Sequence, residues 1–197
     1  MQLIKEFINK NIIVFIVAVS VFALGVATGS FYAVNISASE ADELKQLLSG
    51  YISLEAADKI SFKDVLLCEC TNHLKFFSVL LLCAMNFRLI VISGLALAIR
   101  GYQLGFAVSF VCSSFGKNGI IVTLASAFFS YFVALPLYLM MFVVSANFAK
   151  YRKNTINTRD KTKTMELLTI FLIAYGVLFA AACFEGVLLP FFIDFLN

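Results

Sequence analysis

Charge is scarce in this chain. Asp, Glu, Lys and Arg make up 14% of it against 61% hydrophobic residues, where a soluble domain carries about 25% charged residues. So little polar surface cannot cover a soluble globule of 197 residues, which excludes that class. Histidine occurs once, as His73. One imidazole excludes paired-histidine metal sites of the H-E-x-x-H kind and leaves Ser93-Gly94 with no base at membrane depth. Acids are missing from the middle of the apolar runs apart from Glu185, so neither an aspartyl dyad nor a carboxylate proton relay can be assembled there. No Gly-rich phosphate loop occurs, and the short alternating segments of a membrane barrel are missing too. The expectation is a protein that is not an enzyme, with no cofactor, no nucleic-acid partner and no small-molecule substrate.

Cysteine gives no framework. Cys68, Cys70, Cys83, Cys112 and Cys183 are an odd set, and cysteines in or near spans behave as small hydrophobes. "CECTNH" at 68–73 offers two thiols and an imidazole, but metal sites need a second pair, which is absent. This stretch reads as a solvated or partly buried helix face.

What the chain does have is long apolar runs. A membrane helix needs about 20 such residues to cross about 30 Å of hydrocarbon. Five qualify: 12–34, 74–99, 101–115, 119–148 and 166–184. Pro136 can kink the fourth. The expected architecture is all-α and polytopic, with membrane lipid as its first partner. The run at 12–34 is too long for a signal h-region and lacks a small-x-small cleavage site, so it reads as an uncleaved anchor.

Basic loops stay in the cytoplasm. "KYRKNTINTRDKTK" at 150–163 has six cations to one acid, which predicts a cytoplasmic loop over 150–164. Counting outward, residues 1–11 fall inside, the turn at Arg100 inside, 35–73 outside and the tail 185–197 outside. The outer segment holds Glu40, Asp42, Glu43, Glu55, Asp58, Asp64 and Glu69 against three lysines. "SASE" at 37–40 and "SFKD" at 61–64 have the form of capping boxes, and Leu44, Leu47, Leu48 and Tyr51 keep rough helical spacing. Short amphipathic helices are expected, the last running into the second span. About 40 residues cannot bury an independent core, so these helices lean on the membrane, the spans or a partner.

"AMNFRLIVISGLALAIRGYQLGF" at 84–106 sets Asn86, Arg88 and Arg100 among apolar residues. With the second span beginning at Leu74, Arg88 lies about 21 Å down it, past the middle, where a charge costs about 3 kcal/mol. Arg100, at the inner edge, can snorkel to the headgroups. Either the helix breaks at Asn86–Arg88, with Arg88 donating to freed carbonyls, or it continues and Arg88 faces Glu185. Gly25 and Gly29 form one G-x-x-x-G, Gly101 and Gly105 another; such spacing permits close backbone approach, here expected within the bundle.

Residues 72–136 resemble the family of stage II sporulation protein M of endospore-forming bacteria. The likeness is carried by "NHLKFF" at 72–77, Gly94, "RGYQLGFAVSF" at 100–110, "GKNGIIVTLAS" at 116–126 and "ALPLYLM" at 134–140. The anchor ending in Gly25 and Gly29 and the outer helical segment complete it. The resemblance implies a scaffold in the cell membrane at the sporulation septum, on the mother-cell side. It would recruit the peptidoglycan-degrading stage II sporulation proteins D and P for septal thinning and engulfment. On that reading Glu40, Asp42, Glu43, Leu47 and Tyr51 are the candidate partner-binding residues. A permease subunit working with a separate ATPase is the competing reading; it rests on an interrupted second span, Pro136 and a buried Arg88.

Overall fold

The structure, a computed structural model, describes residues 11–56, 62–154 and 161–196; the side chains at 49–56, 62, 64–65, 115, 117–130 and 185–196 lie outside the described set. Every regular element among the described residues is helical. In chain order these are α1 (Ile12–Val34), α2 (Ala38–Ala56), α3 (Phe62–Ala84), a 3-10 turn (Phe87–Leu89), α4 (Ile90–Asn154) and α5 (Lys161–Leu196). α4 is two arms joined at Gly116, whose φ of 56° and ψ of −130° suit a residue without a Cβ. Among the described residues, five stretches are long and apolar enough to cross a membrane: Ile12–Val34, Leu66–Ala84, Phe87–Ser114, Tyr131–Asn154 and Lys161–Phe184. The chain has the all-α, five-span architecture its composition predicts.

The first span falls where expected, but the second and third do not. Residues 74–99 are not one span, and no turn occurs at Arg100. The chain reverses at Met85–Asn86 instead. Asn86 is extended (φ −143°, ψ 122°), and its Oδ1 accepts the Arg88 N–H at 3.1 Å, capping the next helix. Met85 and Asn86 donate back to Leu82 and Cys83, closing the end of α3. An amide side chain that satisfies orphan helix-end donors makes a reversal cheap here, and the third span then runs unbroken through Arg100 and Gly101. The two arginines therefore exchange roles: Arg88 is exposed at a hairpin end, and Arg100 lies near the midpoint of Phe87–Ser114.

Other boundaries shift as well. The second span starts at Leu66 inside the expected outer segment 35–73, and the fourth is Tyr131–Asn154 in place of 119–148. Pro136 sits early in that span, and the only non-helical dihedrals reported inside α4 are at Gly116. Helix α4 runs to Asn154 and α5 begins at Lys161, so 150–154 and 161–164 of the basic loop expected over 150–164 are helical, while 155–160 lie outside the described residues. The predicted tail 185–197 continues α5 as far as Leu196. At 37–40 the capping expectation is met in altered form. Ser37 Oγ accepts the Glu40 N–H at 3.4 Å and donates to the Glu40 carboxylate at 2.6 Å. The box expected at 61–64 lies outside the described side chains.

Tyr131–Asn154 is the central helix, half of it buried where the other spans bury 22–28%. It carries Ala134, Tyr138, Leu139, Phe142 and Val143 into a core met by Phe76, Phe77 and Leu80 of α3 and by Leu167, Phe171, Ala174 and Leu178 of α5. Those α5 residues recur at helical period, giving one packed stripe with lipid-facing Ile170, Leu172 and Ile173 between. Hydroxyls inside the spans turn back on their own helices: Ser145 donates to Met141 O, Ser78 to Leu74 O and Thr169 to Met165 O. In lipid this spares each hydroxyl the cost of an unmade bond.

α1 packs almost wholly on the first arm of α4, and the two glycine pairs meet there. Gly25 lies against the Ala98 carbonyl and Gly29 against the Tyr102 carbonyl; reciprocally, Gly101 faces Phe22 O and Gly105 faces Val26 O. Ser30 Oγ donates to Gly105 O at 3.2 Å. The paired numbers rise together, so these helices run parallel, and Ile12 lies at the same end of the bundle as Phe87. Val34 and α2 lie at the opposite end. In lipid there is no hydrophobic drive to associate, so backbone contact and dispersion hold this seam.

Alanine at Gly25 or Gly105 should destabilise the protein by about 1–3 kcal/mol through overpacking, since the added Cβ would strike backbone. Gly176→Ala, with nothing within 4 Å of the new carbon, should be neutral or stabilise by about 0.5–1 kcal/mol. Unfolding in micelles followed by circular dichroism checks this. Equal stability of all three variants would mean the seam is not close-packed.

Candidate functional site

A mid-span guanidinium has to be met by dipoles or counter-charge. Arg100 Nη2 donates to the Asn72 carbonyl of α3, and Nη1 reaches Gln103 Oε1 at 3.4 Å. Its carbon lies 5.5 Å from the Phe76 ring centroid and 5.8 Å from that of Tyr138, within range of cation–π attraction to both. The Glu69 carboxylate is near enough to act on the same charge.

One turn along α3, His73 is 7% exposed. Its Nδ1 is 2.5 Å from the Tyr138 hydroxyl of the central helix, and its Nε2 is 3.6 Å from Glu69 Oε2. A neutral imidazole fits one tautomer here, with Nδ1 accepting the phenol proton and Nε2–H facing the carboxylate at more than hydrogen-bond distance. Nearby, Tyr175 of α5 donates to the Cys70 carbonyl at 3.3 Å. Phe76 packs edge-on against Tyr138 at 4.6 Å, and Phe77 meets Phe171 and Tyr175 in the same manner. The cluster thus joins α3, both arms of α4 and α5. A carboxylate, an imidazole and a phenol stand in line beside a fixed cation, with hydrogen bonds to the imidazole, the phenol and the cation.

The helical offsets explain the convergence. Glu69, Asn72, His73 and Phe76 recur at three- and four-residue steps on α3, so they share a face. This face continues the buried row Phe77, Leu80 and Ala84. Sequence reasoning placed Glu69 and His73 outside the membrane and passed over Tyr138, and so missed a carboxylate within a span. The detectable signal was that the apolar row beginning at Phe76 keeps its period backward through His73 and Glu69.

The remaining candidates are dispersed. Gly25, Gly29, Gly101 and Gly105 form the α1–α4 seam, Asn86 caps the hairpin, and Pro136 is exposed on the central helix. The pairing of Arg88 with Glu185 is not available. Arg88 stands at the end of the bundle beside Lys153, whose ammonium covers Phe87, whereas residue 185 follows the far end of Lys161–Phe184. That span is about 36 Å long. The Glu185 side chain itself lies outside the described set. Glu40, Asp42, Glu43 and Leu47 are all exposed on α2, while Ala41, Leu44 and Leu48 on the other side are half-buried. Contact of α2 with the bundle is slight and goes to α5. The Tyr51 side chain lies outside the described residues. In "CECTNH", Asn72 Nδ2 approaches Cys68 Sγ at 3.8 Å, and no metal-capable group of three forms among the described residues.

Comparison with known proteins gives no match: no family model, no curated protein and no solved structure matches the chain.

If the His73–Tyr138 contact is a working hydrogen bond, His73→Gln and Tyr138→Phe should be non-additive. A double-mutant cycle on unfolding in micelles should return about 0.6–1.7 kcal/mol of coupling. Strict additivity would reduce the contact to mere proximity.

Proposed function

We propose that this chain is a non-catalytic membrane scaffold that presents α2 outside the cytoplasm to recruit peptidoglycan-degrading enzymes. The observation that carries the reading is α2 itself, an acidic helix seated on one side only, with Glu40, Asp42, Glu43 and Leu47 turned outward. The end of the bundle opposite α2 gathers Arg88, Lys150, Arg152, Lys153, Lys161 and Lys163, so the positive-inside rule assigns that end to the cytoplasm and α2 to the wall side. The N-terminus is then cytoplasmic and the C-terminus extracytoplasmic.

The resemblance to stage II sporulation protein M supplies the particulars: a septal membrane, the mother-cell side, and stage II sporulation proteins D and P as partners in septal thinning and engulfment. Its segments also supply Asn72, His73, Phe76, Arg100 and Tyr138, so the resemblance and the intramembrane cluster rest on the same stretches. A permease subunit paired with an ATPase is the second reading, and the mid-span charge of Arg100 is what favours it. It now depends on Arg100, since Arg88 is exposed at the hairpin.

Reversing the charge at Glu40, Asp42 and Glu43 should abolish co-purification of wall hydrolases from sporulating cells while membrane insertion persists. Undiminished co-purification would sink the docking role of α2. Arg100→Ala should leave recruitment by the inserted protein intact. Loss of solute uptake in that variant, with an ATPase gene adjacent, would favour the permease.

A further inference from the structure

The end of the bundle where α3 turns into α4 and α4 gives way to α5 carries exposed Arg88, Lys150, Arg152, Lys153, Lys161 and Lys163, with Glu166 the one acid described there. Three of these exposed cations are drawn against the rim. Lys163 Nζ lies 3.7 Å from the Tyr151 ring centroid, Lys153 Nζ lies 4.6 Å from that of Phe87, and Arg152 Nη1 donates to Met85 Sδ at 3.0 Å. Phe87 begins the third span, Tyr151 is three residues from the end of the fourth, and Met85 follows the second. The charges are therefore held at the height where hydrocarbon gives way to headgroups. An ammonium on a ring face uses one side of its charge and keeps other N–H groups to donate.

Beneath Arg88 and Lys161 run exposed apolar columns. Below Arg88, one and two turns along α4, are Val91 (75% exposed) and Leu95 (61%); below Lys161 on α5 are Met165 (65%) and Leu172 (74%). A cation above an exposed apolar column complements a molecule with an anionic head and a long hydrocarbon tail. A free anion would make no use of the column. We propose that this rim binds the headgroup phosphates of anionic phospholipids, with Arg152, Lys153 and Lys163 donating to phosphate oxygens and the acyl chains lying along α4 and α5. Charge-assisted bonds of this kind are the strong ones, and clustered cations beside a span favour anionic lipid by about fivefold each.

The test uses the full chain in nanodiscs of phosphatidylcholine doped with phosphatidylglycerol, with native mass spectrometry counting the lipids that stay bound. Phosphatidylglycerol should be enriched over its bulk fraction, and Arg152→Gln/Lys153→Gln/Lys163→Gln should reduce that enrichment by about fivefold per cation. The charge-keeping variant Lys153→Arg/Lys163→Arg should retain it, which separates lost charge from lost folding. Excess inorganic phosphate should not displace the lipid. Unchanged enrichment in the triple variant, equal retention of phosphatidylcholine, or displacement by inorganic phosphate would each overturn the assignment.

Discussion

A guanidinium halfway across a bilayer sets the terms for this bundle. Arg100 cannot reach either headgroup layer, so its charge must be answered on the spot. The answer is assembled from separate helices: a backbone carbonyl and two aromatic faces, with a carboxylate nearby. The group that answers best is Tyr138, because it serves twice. Its ring faces the guanidinium and its hydroxyl meets His73, which in turn orients toward Glu69. Any shift of α3 along the central helix would strand several buried polar groups at once. That fixes register in a medium where apolar side chains alone discriminate poorly between registers.

The first arm of α4 has a second, unrelated demand on its opposite side. Ala98, Gly101 and Gly105 give α1 its backbone contact, while Leu97 and Arg100 turn toward the core. Arg100 and Gly101 are neighbours in sequence and face different partners, as a rotation of 100° per residue requires. The two seams use different physics. One is glycine-lined and relies on carbonyl and methylene contact; the other is polar and relies on matched charges and dipoles. Together they make the arm through 97–105 the element that holds α1 to the rest.

The fold class, the number of spans and the first span were legible in the sequence, because run length and composition report hydrocarbon thickness directly. The glycine pairs were legible too, as close-approach surfaces, although spacing alone could not say that each was the partner of the other. What misled was the site itself. Glu69, Asn72, His73 and the exposed Lys75 lower the hydropathy of Leu66–Ala84 to 1.4, the lowest of the five spans, so the span read as beginning at Leu74. With its start displaced by two turns, Arg100 took the position of a cytoplasmic turn and Arg88 that of a buried charge. Asn86 carried the correction, since an amide between two apolar halves is what a helix end needs, and a break was one of the alternatives that residue raised. A hydropathy window averages over a whole helix circumference and cannot see that three polar residues share one face.

This arrangement bears on how the proposed scaffold and permease readings are weighed. A substrate site in a membrane bundle keeps some polar capacity for the substrate, and transporters commonly do so where backbone is unwound near the midplane. Here the mid-span backbone is helical on every side of Arg100, and Arg100, His73 and Tyr138 already have protein partners. A knot satisfied from within gives a transported solute little to bind, and it gives a bundle of lipid-facing helices one preferred register. Rigidity of that kind is what a platform requires if its outward helix is to be presented at a constant angle. The polar cluster therefore weighs toward a supporting role, and α2 keeps Glu40, Asp42, Glu43 and Leu47 exposed for a partner.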